Sequence, residues 1–220
     1  MLSLHALPPS GGQVLCPFCS RVEQHFAKAV AYGSYEGGLR ELIHLLKYGG
    51  VRPAANVLGS MLAEAISPVL ITKAGAAFGS GPVVVIPVPL HGSRLRERGF
   101  NHAESIARAA VKELKAEGRV GREKMVLRED VLERRRPTQS QTGLTIQQRR
   151  QNMRGAFAVR RAQEVNGREV LLVDDVYTTD ATVSECARVL RRAGATKVWV
   201  ATVARTLKLA SKVWGDEAGR

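Results

Sequence analysis

Two adjacent carboxylates, Asp174 and Asp175, precede three hydroxyls, Thr178, Thr179 and Thr182, and a third acid, Asp180, interrupts the hydroxyl run. An ionised carboxylate only accepts hydrogen bonds, so a neighbouring pair suits the vicinal hydroxyls of a ribose. Backbone N–H groups at a turn into a helix form a nest of donors suited to a phosphate, and threonine hydroxyls add to it. Acids followed by donors therefore match a sugar phosphate. The same residue types also fit a structural role, with two solvated acids at a strand end and threonines capping a helix. Both readings stand on these residues alone.

The elements around this stretch determine whether it can form a site. Val170 to Val173 are apolar without polar alternation, which predicts a central strand covered on both faces. The following ATVSECARVLRRAG predicts a helix closed by Gly194, so the acids and hydroxyls lie on a strand-to-helix loop, where α/β proteins place ligands. VVVIPVP, Val83 to Pro89, is a second strand of the same type. The basic loop LHGSRLRERGF then feeds an amphipathic helix from about Asn101. Upstream, Leu39, Leu42, Ile43 and Leu46 share one helical face, and a second helix opens at Pro53; both are read as scaffold. Lys197 to Arg205 is a further strand. Strands alternating with helices predict an α/β fold with a mainly parallel sheet flanked on both faces. Residues 128 to 161 carry nine arginines against three acids; this stretch is read as a long mobile loop or a basic arm.

Composition narrows the classes. The chain has 220 residues, 45% of them hydrophobic, enough for a real core. No apolar run approaches the roughly 18 residues of a membrane span, and no basic-then-apolar leader opens the chain. Three cysteines, Cys16, Cys19 and Cys186, make no disulfide framework, and a cytoplasmic location is expected. The net charge of +13 points to polyanionic partners, either phosphorylated small molecules or nucleic acid. Near the N-terminus, CPFC forms a two-cysteine knuckle. A structural zinc takes four ligands; Cys16 and Cys19 supply two, and His5 and His25 are irregularly spaced, so substoichiometric zinc is expected.

The string VLLVDDVYTTDAT resembles the phosphoribosyl pyrophosphate signature of type I phosphoribosyltransferases. With "IPVPLHGSRLRERGFNHAESIA", "LRELIHLLKYGG", "SQTGLTIQQRRQN" and CPFC, the chain resembles the ComF family. The resemblance implies a Rossmann-like type I phosphoribosyltransferase core over residues 31 to 210, a degenerate zinc-ribbon-like segment over 1 to 30 and a tail over 211 to 220. It implies that Asp174 and Asp175 meet the ribose, and that Thr178, Thr179, Asp180, Ala181 and Thr182 surround the 5′-phosphate. Arg96, Arg98, Gly99 and Asn101 would face the pyrophosphate, and Arg136, Gln141, Arg149, Arg150 and Asn152 would belong to a flexible closing loop. The implied activity is transfer of phosphoribose from phosphoribosyl pyrophosphate to an acceptor, with Mg²⁺ carried largely by the substrate. The alternative is a competence factor for DNA uptake that engages single-stranded DNA or a competence helicase and keeps the sugar site as a vestige or regulator. In one place the chain departs from the family turn: Asp180 stands where the family has glycine.

Overall fold

A computed structural model of the chain describes residues 2–3, 25–70, 81–121, 124–138, 145–178 and 180–206. Cys16, Cys19, Gln141 and Thr179 lie outside them. In chain order the strands are β1 (Leu2–Ser3), β2 (Lys28–Ser34), β3 (Val83–Pro87), β4 (Met125–Leu127), β5 (Leu132–Arg134), β6 (Phe157–Val159), β7 (Glu169–Tyr177) and β8 (Lys197–Arg205). The helices are α1 (Gly37–Tyr48), α2 (Ala54–Leu70), α3 (Gly92–Arg98), α4 (His102–Ala116), α5 (Ile146–Met153) and α6 (Ala181–Arg192).

The main sheet has the order β1-β2-β8-β7-β3-β4, and every pairing in it is parallel except that of β1 with β2. Strand alternation divides the apolar residues between two cores. Val83, Val85, Leu171, Val173 and Ala201 pack on one face with Ile43 and Leu46 of α1, Leu58 and Leu62 of α2, and Ile106 and Leu114 of α4. Val84, Ile86, Val170, Leu172 and Val200 pack on the other face with Val183, Cys186 and Leu190 of α6. The unbroken apolar run of β7 is thus buried on both sides, as its composition requires. At the far end of α6, Gly194 adopts φ 97°, where a side chain would be strained and would also collide with Asn166.

The described parts of the basic stretch 128–161, read from the sequence as a long mobile loop or a basic arm, carry regular structure. Its first and last parts pair as an antiparallel β5–β6 ribbon, with Leu132 opposite Val159 and Arg134 opposite Phe157. Between them lies α5, opened by a capping box in which the Thr145 side chain accepts from the Gln148 backbone and Gln148 accepts from Thr145 N. A few apolar side chains hold the unit down: Val131, Leu132, Met153, Ala156 and Phe157 join the second core. The density of arginines hid that sparse apolar pattern.

Candidate functional site

At the C-terminal end of β7 the period-two alternation separates the two acids. Asp175 continues the register of Leu171 and Val173, toward α1 and α4, and it is 4% exposed. Lys47, in the last turn of α1, places its ammonium on Asp175 Oδ2, and His102 Nε2 lies 3.5 Å from Asp175 Oδ1. Arg98 Nη1 lies 3.2 Å from His102 Nδ1. A guanidinium only donates, so Nδ1 accepts and Nε2 carries the N–H that faces Asp175. Arg98 also lies over the Tyr48 ring, 4.9 Å from its centroid. The result is a chain of contacts from Tyr48 through Arg98 and His102 to Asp175 and Lys47.

Asp174 keeps part of its surface open, and its Oδ1 accepts from Asp175 N at 2.9 Å. Burial, then the neighbouring Asp175 charge, pushes its carboxyl well above the usual carboxylate range. Burial acts on Asp175 in the same direction, but the Lys47 ammonium and His102 outweigh it and hold that carboxyl far below the usual range. Burial likewise works against the Lys47 ammonium, and Asp175 more than offsets it, so the amine is raised. One acid is therefore firmly ionised and compensated by the chain, while its neighbour resists ionisation.

Both acids line a cleft of about 400 Å³ together with Lys47, Tyr48, Arg94, Arg98, His102, Arg134 and Thr182. Two guanidinium atoms in its wall, Arg98 Nε and Arg134 Nε, are buried without a hydrogen-bond partner among the described residues. Burial lowers the pKa of Arg134, which also lies over the Phe157 ring, 5.5 Å from its centroid. A buried donor left unpaired is costly, and both atoms belong to guanidinium side chains that border the cleft.

The remaining sequence-derived residues take varied places. Thr182 lines the cleft, Thr178 is exposed and Ala181 is buried at the start of α6. Asp180 is the N-cap residue of α6, with φ −66° and no side-chain cap bond. Its backbone is right-handed, so the glycine of the family turn is not required there for conformational freedom. Its carboxylate instead receives Arg150 of α5: Arg150 Nε is 3.3 Å from Oδ1, and Nη2 contacts Oδ2.

On the loop after β3, Arg96 is exposed and is absent from the cleft wall, whereas Arg94 and Arg98 are in it. Gly99 closes α3 at φ 75°, and Asn101 caps α4 by accepting from Ala103 N while donating to Val88 O at 3.1 Å. These two position the arginines and line no part of the cleft themselves. Arg136 donates to Asn152 O and Arg154 O, which secures the end of α5, and Arg149 is half-buried on that helix.

Lys47, Tyr48, Arg94, His102 and Arg134 line the cleft but were not among the residues the sequence assigned to the site. The helix read as scaffold, α1, delivers the cation that compensates Asp175. A signal existed, since Lys47 follows Leu46 and lies one turn beyond Ile43, at the border of the buried stripe. His102 likewise shares the apolar face of α4 with Ile106.

Residues 78–213 match the family model described as the phosphoribosyl transferase domain. The chain is 30% identical over 204 residues to the DNA utilization protein YhgH of Escherichia coli O157:H7, covering 91% of this chain and 82% of that protein. It is 29% identical over 191 residues to competence protein F of Haemophilus influenzae, covering 86% and 78%. Among solved structures, a hypoxanthine phosphoribosyltransferase from Staphylococcus aureus overlaps 76% of this chain and 77% of its own at 12% identity and a TM-score of 0.36. The family assignment rests on the sequence matches, which span both the acid-bearing strand and the helices around it. Together they establish that the chain belongs to the phosphoribosyl transferase domain family and, within it, to the ComF group that includes competence protein F and the DNA utilization proteins.

Proposed function

We propose that this chain binds phosphoribosyl pyrophosphate and transfers its phosphoribose to an acceptor. The observation that carries the reading is the pair of orphaned guanidinium atoms, Arg98 Nε and Arg134 Nε, in the same cleft as Asp174 and Asp175. The acids accept from the ribose hydroxyls, the start of α6 with Thr178 and Thr182 receives the 5′-phosphate, and the arginines meet the pyrophosphate. In the reaction, the bond from C1 to the pyrophosphate oxygen breaks and the pyrophosphate leaves with the electron pair. A nucleophilic atom of the acceptor forms the new bond to C1 and releases its proton to solvent. The ribose passes through an oxocarbenium-like state, so the protein contributes position and compensation of the leaving charge.

Mg²⁺ enters this reading with the substrate. His102, Asp174 and Asp175 bring ligand atoms within 4.8 Å of one another, yet Lys47 already occupies Asp175 and an imidazole is a poor Mg²⁺ ligand. The donor set does not fit a resident Mg²⁺.

Isothermal titration with Mg²⁺ and phosphoribosyl pyrophosphate tests the proposal. Saturable binding that weakens on Arg98→Met is expected, and no binding at millimolar ligand overturns it. A second reading, binding of single-stranded DNA, is favoured by the +13 charge and by the names of the relatives. Its signature is oligonucleotide affinity that falls steeply with salt, in a protein that takes no sugar phosphate.

The Asp180–Arg150 pair makes a further expectation specific. With a 5′-phosphate at the start of α6, Asp180→Gly removes a like charge from its neighbourhood and releases Arg150 from that carboxylate. Affinity for phosphoribosyl pyrophosphate is expected to rise by about tenfold. The ligand-free protein loses about 1–2 kcal/mol through the lost contact between α5 and α6. Titration and urea melts of the two proteins check both effects, and unchanged affinity places the phosphate away from Asp180.

A further inference from the structure

We propose that Arg150 is a positioning residue: it draws the Asp180 carboxylate away from the start of α6, so that the acid does not cap the first turn of that helix. Aspartate at a helix start ordinarily turns its carboxylate onto the N–H groups of the first turn, where negative charge is also stabilised. Asp180 stands at that position in α6 and makes no such bond. Both of its oxygens meet Arg150 of α5 instead, with Nε 3.3 Å from Oδ1 and Nη2 in contact with Oδ2. The helix ladder begins with Ser184 N donating to Asp180 O at 2.7 Å, so the N–H groups before Ser184 have no carbonyl of the helix to meet. Thr182, in that same turn, lines the cleft, whereas Asp180 does not.

The ion pair is not what holds α5 in place. Met153, at the end of that helix, is buried in the second core, and Arg136 donates to Asn152 O and Arg154 O. Just beyond, Glu185 of α6 accepts from Gly155 N at 2.7 Å while Arg188 holds the same carboxylate at 2.6 and 2.8 Å. Loss of the Arg150 guanidinium therefore releases the acid and leaves the helix anchored. The side chains are 30% exposed for Arg150 and 7% for Asp180, so a carboxylate without its arginine is poorly hydrated and turns to the nearest donors, the N–H groups of α6. There it competes with any anion for the same groups. That consequence rests on the proposed seat of the 5′-phosphate at α6; the withdrawal of Asp180 does not.

The first measurement is backbone amide exchange at Val183 in the ligand-free full chain, read by nuclear magnetic resonance. Arg150→Met is expected to slow exchange there about fivefold, because the released carboxylate accepts from the first turn. In an Asp180→Ala background, where nothing can cap, Arg150→Met is expected to change nothing. Arg150→Lys keeps a cation beside the acid and is expected to exchange as wild type does. Arg150→Ala, a good helix former, gives the same readout as the methionine variant if that one does not fold. The second measurement is titration with phosphoribosyl pyrophosphate and Mg²⁺. Arg150→Met is expected to weaken binding about fivefold in the otherwise unchanged chain and not at all in Asp180→Ala, so the two substitutions are coupled. If neither wild type nor any variant binds the sugar phosphate, the proposed function fails and amide exchange alone decides the role of Arg150. Exchange at Val183 that Arg150→Met leaves unchanged, or slows equally with alanine at position 180, overturns the proposal. An equal loss of affinity in both backgrounds gives Arg150 a ligand contact of its own and overturns it as well.

Discussion

Asp175→Asn is expected to destabilise the protein by about 3 kcal/mol, because removing one partner of a buried ion pair leaves the other charge buried and uncompensated. For a chain of this size that corresponds to a melting temperature lower by about 6–12 °C. The stranded group is Lys47, whose ammonium is held charged by Asp175 against the effect of burial. His102 loses its acceptor in the same substitution. The pH dependence follows from the depressed carboxyl of Asp175. A carboxyl whose folded pKa lies below its unfolded value contributes stability above the unfolded pKa, and that contribution is lost as pH falls through the folded value. The deficit of Asp175→Asn should therefore persist from neutral pH down past about pH 4, the ordinary aspartate value, and fade only in stronger acid. Urea melts of both proteins across this range measure it. Equal stability at neutral pH would show that Lys47 finds full compensation elsewhere.

Asp174→Asn is expected to act in the opposite direction, stabilising the protein by about 1–2 kcal/mol at neutral pH. Burial and the adjacent Asp175 charge raise the Asp174 carboxyl, so the native state at neutral pH bears the cost either of a crowded charge or of holding a proton. The amide has neither cost. A group whose folded pKa is raised contributes stability below its unfolded pKa, and that contribution disappears as pH climbs through the folded value. The advantage of the asparagine should therefore be present at neutral pH and shrink toward about pH 4. If Asp174 receives a ribose hydroxyl, the same substitution should weaken phosphoribosyl pyrophosphate binding by about tenfold. Gain of stability with loss of affinity marks a residue kept for binding; an equal stability difference at both pH values would remove burial and repulsion as the cause.

The two neighbours differ because of the pleat. Asp175 follows the register of Leu171 and Val173 toward α1 and α4, where Lys47 and His102 meet it. Asp174 lies in the alternate register, with Val170 and Leu172, and there the Lys47 charge only partly offsets its burial and the repulsion from Asp175. Two identical side chains, one bond apart in the backbone, thus acquire opposite electrostatic histories from a strand geometry that either residue alone would not reveal.

Features that rest on local periodicity were legible along the chain. The apolar runs of β3, β7 and β8 identify strands with no wet face, the 3.6-residue stripes of α1, α4 and α6 identify their buried sides, and strand–helix alternation implies the parallel sheet. The acids, the threonines and Asp180 were visible for the same reason, being adjacent in the chain at one strand-to-helix turn. Their surroundings depend on residues that the fold brings together from distant parts of the chain. Lys47 and His102 are brought to Asp175 by helices whose packing on the sheet depends on the whole first core, and Arg150 reaches Asp180 because α5 packs against α6. A charge is tuned by groups near in space, and Coulomb attraction in a buried setting depends on distance and dielectric. Neither quantity is written in the spacing of residues along the chain.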